Sequence, residues 1–402
     1  MVAAADVQGP TELPEFAGGL GDAIRAIQKS LYLEPQLRVC ASAGWSSAYD
    51  CVESVSRAMC GGGGGDLALS AVRGSNLLPI LEMLVADGVD LTNADTGQPW
   101  RELRAPLLAA DLQLGAGPLV AAMAEGARVM VVGCCDGTAP LVAAAVSEFG
   151  WNWSDFDRLS GAATAAEAAA WSDWLVGASG ESDSMQEMGI PSSPPRVALE
   201  ASGASSVDLG LPADASALQS MWQWLLRADA PEAARMHADV ICRGVEISAT
   251  AQSQLRLRDC KGAKTDGCWR LEVLYQAGFA AEALLEIAPR TDPKLRRQLA
   301  AAIRSRLQAA DDGDSLTTVE ELHFADRAAG PGWIHAACQS KSQAACGRFV
   351  EQTLRLAAAH RSVLRLASGR PVVHVHCGLW PARIPRDAVD IAVETRLAKE
   401  WN

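Results

Sequence analysis

Between residues 37 and 174 the apolar positions follow two alternating rhythms. Short runs at 37–41, 67–72 and 128–132 are apolar almost throughout, the character of strands covered on both faces. Each is followed by apolar positions at helical spacing, in 49–59, 77–87 and 138–149. A strand that returns in the same direction needs a crossover, which a helix supplies, so this alternation specifies a mainly parallel sheet flanked by helices. Residues 107–125 read as one further amphipathic helix, interrupted at Gly115-Ala116-Gly117-Pro118. The five glycines of 61–65 read as a flexible loop between a helix and the next strand.

Residues 177–213 break the pattern, being rich in Ser, Gly and Pro, with Pro191, Pro194, Pro195 and Pro212 opposing helix. Beyond a helix at 214–227 carrying Trp222 and Trp224, strands are predicted at 240–247, 254–257 and 268–275, with turns at Lys261-Gly262 and Asp266-Gly267. Helix 293–309, strand 315–324, helix 339–359 and strand 371–377 complete the reading. With 402 residues the chain exceeds one ordinary core. The expected class is α/β: a parallel α/β domain over 1–176, a loop or linker over 177–213, and a smaller α+β domain over 214–402.

Composition narrows the function. A net charge of −13 and the lack of a clustered basic face argue against nucleic acid as a partner. No apolar run approaches the ~18 residues that span a bilayer, and the opening MVAAADVQGPTELPEF lacks the basic start of a secretory signal. Eleven cysteines without C-x-x-C spacing fit reduced thiols, so a cytoplasmic protein without a membrane partner is expected. His374 and His376 share a strand face, but no third metal ligand is placed by spacing, and no metal is assigned. The chain has no G-x-S-x-G, G-x-G-x-x-G or Walker-type loop, and its cofactor stays unknown.

Two turns carry candidate chemistry. Gly133-Cys134-Cys135-Asp136-Gly137 follows the strand at 128–132, and open α/β sheets place ligands at such carboxyl ends. There Asp136 is the carboxylate best set to handle a proton, and Cys134 or Cys135 is either a thiol activated by the following helix or an inert buried one. Thr92, Asn93 and Asp95 lie in a turn that is either a structural Asx turn or a set of polar groups and a carboxylate base projecting into a cleft. Both turns are expected on one edge of the sheet. The tryptophans, among them Trp151, Trp153, Trp171 and Trp174, serve packing or line an apolar acyl pocket.

The segments SNLLPILEMLVADGVDLTNADTGQPW, EFGWNWSDFDRL, APEAARMHADVICRGVEI, WRLEVLYQAGFAAEALLEI and SGRPVVHVHCGLWPARIPRDAV resemble the acyclic terpene utilisation family, over most of the chain from about Leu37 onward. The resemblance implies a place in breakdown of acyclic terpenes through branched acyl-CoA thioesters, with a small-molecule ligand such as an acyl-CoA and self-association as an open alternative. It also exposes departures. The family's Gly-Arg pair and nearby Asp appear as Gly133, Cys134 and Asp136. Its Asn-Ala-Gly-Gly-like turn appears as Ser42-Ala43-Gly44-Trp45, and its Gly-Asp-Asp as Gly74-Ser75-Asn76. Of the family's Gly-rich opening strand-turn unit only Phe16–Asp22 is similar, and one strand-helix unit of the sheet is expected to be missing. The resulting candidates are Asp136 and Asp95 for catalysis, and Gly133, Cys134, Asn93, Thr92, Gly44 and Asn76 for substrate. If active, the chain is an acyl-CoA or carboxylate-metabolising enzyme of unassigned reaction. The alternative is a catalytically eroded paralogue that binds or assembles.

Overall fold

The three strands expected to run parallel do so in the computed structural model, which describes residues 17–45, 48–170, 194–209, 236–251, 254–288, 293–308, 315–322 and 332–401. β1 (Val39–Ser42) and β2 (Ala68–Arg73) flank β4 (Val129–Val132), with Val39 and Leu69 both opposite Val129. Residues on each strand alternate between two cores, as pleating requires. Val39, Ala41, Leu69, Ala71, Val129 and Val131 pack with α1 (Ala17–Leu33) and α2 (Ala48–Gly61). Cys40, Val72, Met130 and Val132 enter a second cluster with α4 (Gly117–Ala124) and α5 (Ala139–Phe149). α3 (Leu81–Ala86) adds Leu81 and Leu84 to that second cluster.

The fourth strand of this sheet comes from the far end of the chain. β14 (Ala392–Leu397) pairs antiparallel with β2, and the residues after it cover the face on which α1 and α2 pack. Trp401 is 7% exposed; its Nε1 donates to Leu69 O at 3.0 Å and its ring meets Tyr49 edge-on at 5.6 Å.

Two glycines of the run, Gly62 and Gly64, pack on Gln28. Gln28 Nε2 donates to Met59 O at 2.6 Å, and the Gly64 N–H donates to the same oxygen at 2.7 Å, closing the end of α2. A Cβ at Gly62 would lie 1.8 Å from Gln28 Oε1, so these glycines make room for a buried amide that caps the helix.

Residues 107–125 are not one helix. Their first part is β3 (Leu107–Gln113), antiparallel to β9 (Cys268–Ile287), and only Gly117–Ala124 is helical. Leu and Ala favour helix, but tertiary pairing overrides propensity here: Ala110, Leu112 and Leu114 enter the core while Asp111 and Gln113 face the other way. β9 is the spine of a six-stranded sheet. Its first half lies between β3 and β13 (His374–Pro385), and its second half pairs with β11 (Gly332–Ser340) and β12 (Leu364–Leu366), with β10 (Ser315–Leu322) beyond β11. α7 (Pro293–Gln308) and α8 (Gln343–Ala359) bury against the second half through Ile303, Leu307, Phe349 and Leu356. The helix read from 339 thus begins at Gln343, because Gln339 and Ser340 end a strand that sequence reading missed.

A third sheet, β5 (Arg196–Leu199), β6 (Ser205–Asp208), β8 (Gln254–Ala263) and β7 (Ile241–Ala251), packs on α6 (Phe156–Ala170) through Ala165, Ala168, Val207 and Leu257. β5 and β6 come from the Ser/Gly/Pro-rich stretch. Lys261-Gly262 is no turn but part of β8, with Gly262 opposite Cys242. The helix at 214–227 with Trp222 and Trp224, and also Trp171 and Trp174, lie outside the described residues.

Trp401→Ala should cost about 3–5 kcal/mol, the range for deleting a buried aromatic side chain. Urea unfolding of parent and variant at one pH measures it.

Candidate functional site

The carboxyl ends of β1, β4 and β2 meet at one edge. Ser42 Oγ donates to Gly133 O at 2.7 Å and accepts from the Gly44 N–H at 3.1 Å, tying the first turn to the second. Gly44 has φ +59°, which suits glycine in the turn. A Cβ at Gly133 would lie 2.3 Å from Ser75 Oγ, so a larger residue here would displace the Ser75 hydroxyl. Asn76 is exposed and its Oδ1 accepts from the Leu78 N–H at 3.0 Å, starting the following helical turn.

Behind this edge stands a carboxyl that sequence reading did not select. The bonds from Leu112 N–H to Ser75 O (2.9 Å) and from Leu77 N–H to Ala110 O (2.7 Å) pin the β2 turn onto β3, bringing Asp111 to Ser75. Asp111 is 2% exposed; burial pushes its pKa up to about 7, opposed by a hydrogen bond with Ser75. Across the ladder lies Glu272, which accepts from Gln113 Nε2 at 2.9 Å and pairs with Arg270 Nε at 3.1 Å. The signal was present as alternation, since Ala110, Leu112 and Leu114 are apolar and Asp111 and Gln113 polar, a period of two within a supposed helix.

Asp136 is held on every side. The turn is anchored by bonds from Asp136 N–H to Leu114 O (2.9 Å) and from Leu114 N–H to Cys134 O (3.2 Å). Oδ1 accepts from Thr138 N–H at 2.9 Å and Thr138 Oγ1 at 2.7 Å, and lies 3.6 Å from His237 Nδ1; Oδ2 accepts from Ala238 N–H at 2.7 Å. Burial works against its charge, but His237 and Thr138 outweigh it and hold the carboxyl well below the usual range. Burial likewise disfavours the His237 cation, and its contacts with Asp136 and Cys242 overcome this and raise its pKa. Asp239, raised by burial, accepts from Ala116 N–H at 2.7 Å, so residues 237–239 clamp the turns that begin α4 and α5. His237 lay in one of the quoted segments, but nothing in its spacing singled it out.

The setting of both thiols disfavours the thiolate. Burial, with Asp111 and Glu272 nearby, raises Cys134 well above its ordinary value, and a hydrogen bond with Cys40 and then burial raise Cys135. Activation by the following helix is therefore outweighed, and none of the eleven cysteines is in a disulfide.

The turn of 92–97 is an Asx turn. Asn93 is buried, with Oδ1 accepting from Asp95 N–H (3.0 Å) and Thr96 N–H (2.9 Å), while Thr92 bonds back to Asp90 and Asp95 is exposed. The loop docks on β13, through Ala94 N–H to Pro381 O at 2.8 Å and Trp380 Nε1 to Leu91 O at 2.9 Å. Glu272 of β9 lies between Asp111 and Pro381, so this turn is carried two strands from Asp111. The structure thus brings Gly133, Cys134, Gly44, Asn76 and Asp136 to neighbouring turns of the parallel sheet, and anchors Thr92, Asn93 and Asp95 on the other sheet. Among the described residues no group of three or more His, Cys, Asp or Glu side chains is arranged to hold a metal, and His374 and His376 sit on β13 opposite Ala280 and Gly278.

Residues 4–191 match the model of the family described as "Acyclic terpene utilisation family protein AtuA". The match covers somewhat less than half of the chain, and over it the chain is similar to the acyclic terpene utilisation family. No curated protein and no solved structure matches the chain. The acyclic terpene utilisation segment contributes Ser42, Gly44, Ser75, Asp111, Gly133 and Asp136. The groups that brace them, His237, Asp239 and Glu272, come from beyond it. No helix among the described residues is long and apolar enough to cross a membrane.

Asp136→Asn should cost about 3–5 kcal/mol, because it strands His237 in a buried place. The lowered Asp136 stabilises the fold above about pH 4 and ceases to do so as pH falls through its folded value. The raised His237 contributes fully below about pH 6.5, and its contribution is lost as pH rises through its folded value. The penalty should therefore peak between about pH 4 and 6.5, as urea unfolding of both proteins across pH 3–9 will show. Separately, alkylation of the native protein at pH 8 should spare Cys134 and Cys135, whereas the denatured protein takes up eleven labels. Mass spectrometry gives the count.

Proposed function

We propose that this protein binds a small branched acyl-CoA or carboxylate metabolite at the carboxyl edge of its parallel strands, in a cleft bounded by the second sheet. The observation that carries the reading is the interlock of Ser42, Gly133 and Ser75, which draws three strand ends of a parallel sheet to one place, where α/β proteins hold ligands. Similarity of residues 4–191 to the acyclic terpene utilisation family supports a role in branched-acyl catabolism. The setting is cytoplasmic, with no nucleic-acid or membrane partner, and a homo-oligomer is compatible with it.

The second reading is a catalytically eroded paralogue that binds or assembles without turnover. It draws support from Asp136, whose oxygens are both occupied by protein donors, and from thiols raised by burial. Asp95, exposed on its own loop, keeps its proposed role as a base only if a ligand reaches β13.

Thermal unfolding with added acyl-CoA esters tests binding, and hydrolysis or transfer assayed in the same samples tests catalysis. A ligand at about 100 times its Kd stabilises the native state by about 2.7 kcal/mol, a readily visible rise in Tm. A rise with turnover supports an enzyme, a rise without it supports the paralogue, and no rise at saturating ester removes the binding reading.

A further inference from the structure

Asp111 is buried without the partners that burial demands. It is 2% exposed, and among the described residues its Oδ2 has no hydrogen-bond partner, although Asp136 has donors on both oxygens. A carboxylate so placed is strongly unfavourable unless it is bonded or carries a proton. The groups around it are committed elsewhere. On β9, Glu272 is taken by Arg270 and Gln113; on β13, Arg383 pairs with Asp266; the Cys134 thiol, beyond Gly133, is buried. Among the described residues, Ser75 is the neighbour that hydrogen-bonds the carboxyl. Asn76 is exposed and joined to Asp111 through an isolated backbone bridge, so the acid lies one residue beneath the surface at the strand ends.

We propose that Asp111 is the ligand-recognising acid of this edge, its Oδ2 hydroxyl donating a hydrogen bond to a carbonyl or carboxylate oxygen of a small acyl ligand while Ser75 steadies the group. This rests on the acyl-ligand reading above and adds the residue that recognises the acyl oxygen. The proton stays on Asp111, and no covalent bond forms or breaks. A ligand arriving past Gly74 and Asn76 would give Oδ2 the acceptor it lacks. Ionisation of Asp111 removes the donor and sets a negative charge against the ligand oxygen, so binding weakens as pH rises. The same group gives the unliganded fold a pH dependence. With its folded value raised to about 7, its contribution to stability is fully present below about pH 4 and lost as pH rises through 7.

The test uses the full chain with isovalerate and isovaleryl-CoA as probes, following Tm at pH 6 and pH 8.5 in the parent, Asp111→Asn and Asp111→Leu proteins. The parent should be stabilised by the probes at pH 6, with affinity at least tenfold weaker at pH 8.5. Asp111→Asn, which keeps a donor that does not ionise, should bind alike at both, and Asp111→Leu at neither. Carbon-13 NMR of the parent's aspartate carboxyls, with Asp111 identified by its loss in Asp111→Asn, reads the acid directly even if Asp111→Leu does not fold. A signal titrating near pH 7 supports the inference, and one titrating below pH 5 overturns it. Probe binding that is unchanged at pH 8.5 or in Asp111→Leu overturns the role of Asp111 and leaves the acyl-ligand reading standing. Absence of probe binding to the parent at pH 6 overturns both.

Discussion

The apolar cluster that joins the parallel sheet, α4 and α5 with the first half of β9 is the constraint on which the rest depends. Met130 and Val132 enter it from one side, Leu271, Val273, Trp380, Ala382 and Ile384 from the other, in a single cluster of buried side chains. Burial of this extent is the main favourable term in folding, and it fixes how the sheets meet. Two strands are exchanged across the chain to complete it: β3, from the N-terminal half, pairs with β9, and β14, from the C-terminal end, pairs with β2. Neither half of the sequence completes its own sheet.

That exchange determines the chemistry at the strand ends. Because β3 leaves the parallel sheet, it runs beneath the β2 turn and delivers Asp111 to Ser75 and Gly133. Glycine at 133 leaves room for the Ser75 hydroxyl in this close approach. The two aspartates of this edge then divide by environment. Asp136 is surrounded by donors and a histidine cation and stays charged, whereas Asp111 has one hydroxyl and a free oxygen in a buried place. Environments that push two carboxyl groups in opposite directions mark which one exchanges a proton near neutrality.

The clamp formed by residues 237–239 links the third sheet to the same edge. His237 and Ala238 meet Asp136, and Asp239 meets the N–H of Ala116, just ahead of β7. The turns that begin α4 and α5 are thereby held from outside the acyclic terpene utilisation segment. A side chain such as Asn93, in contrast, satisfies its own loop and asks nothing of the strand ends.

By itself the sequence determined the parallel strands and their crossover helices, because a strand buried on both faces and an amphipathic helix leave local patterns that no partner needs to explain. It also carried the family resemblance and the turn at Gly133. What it left undecided was every feature that depends on a distant partner. The Leu- and Ala-rich 107–113 became a strand only because β9 was there to pair with it, and 392–397 became a sheet edge only because β2 was open to it. Gln28 turned five glycines from loop to cap, His237 reached Asp136 from about a hundred residues away, and Asp111 acquired its burial from Ser75 and Glu272. Local sequence fixes where an element begins and which face is apolar; the charge state of a side chain follows from what packs against it, and only the tertiary structure decides that.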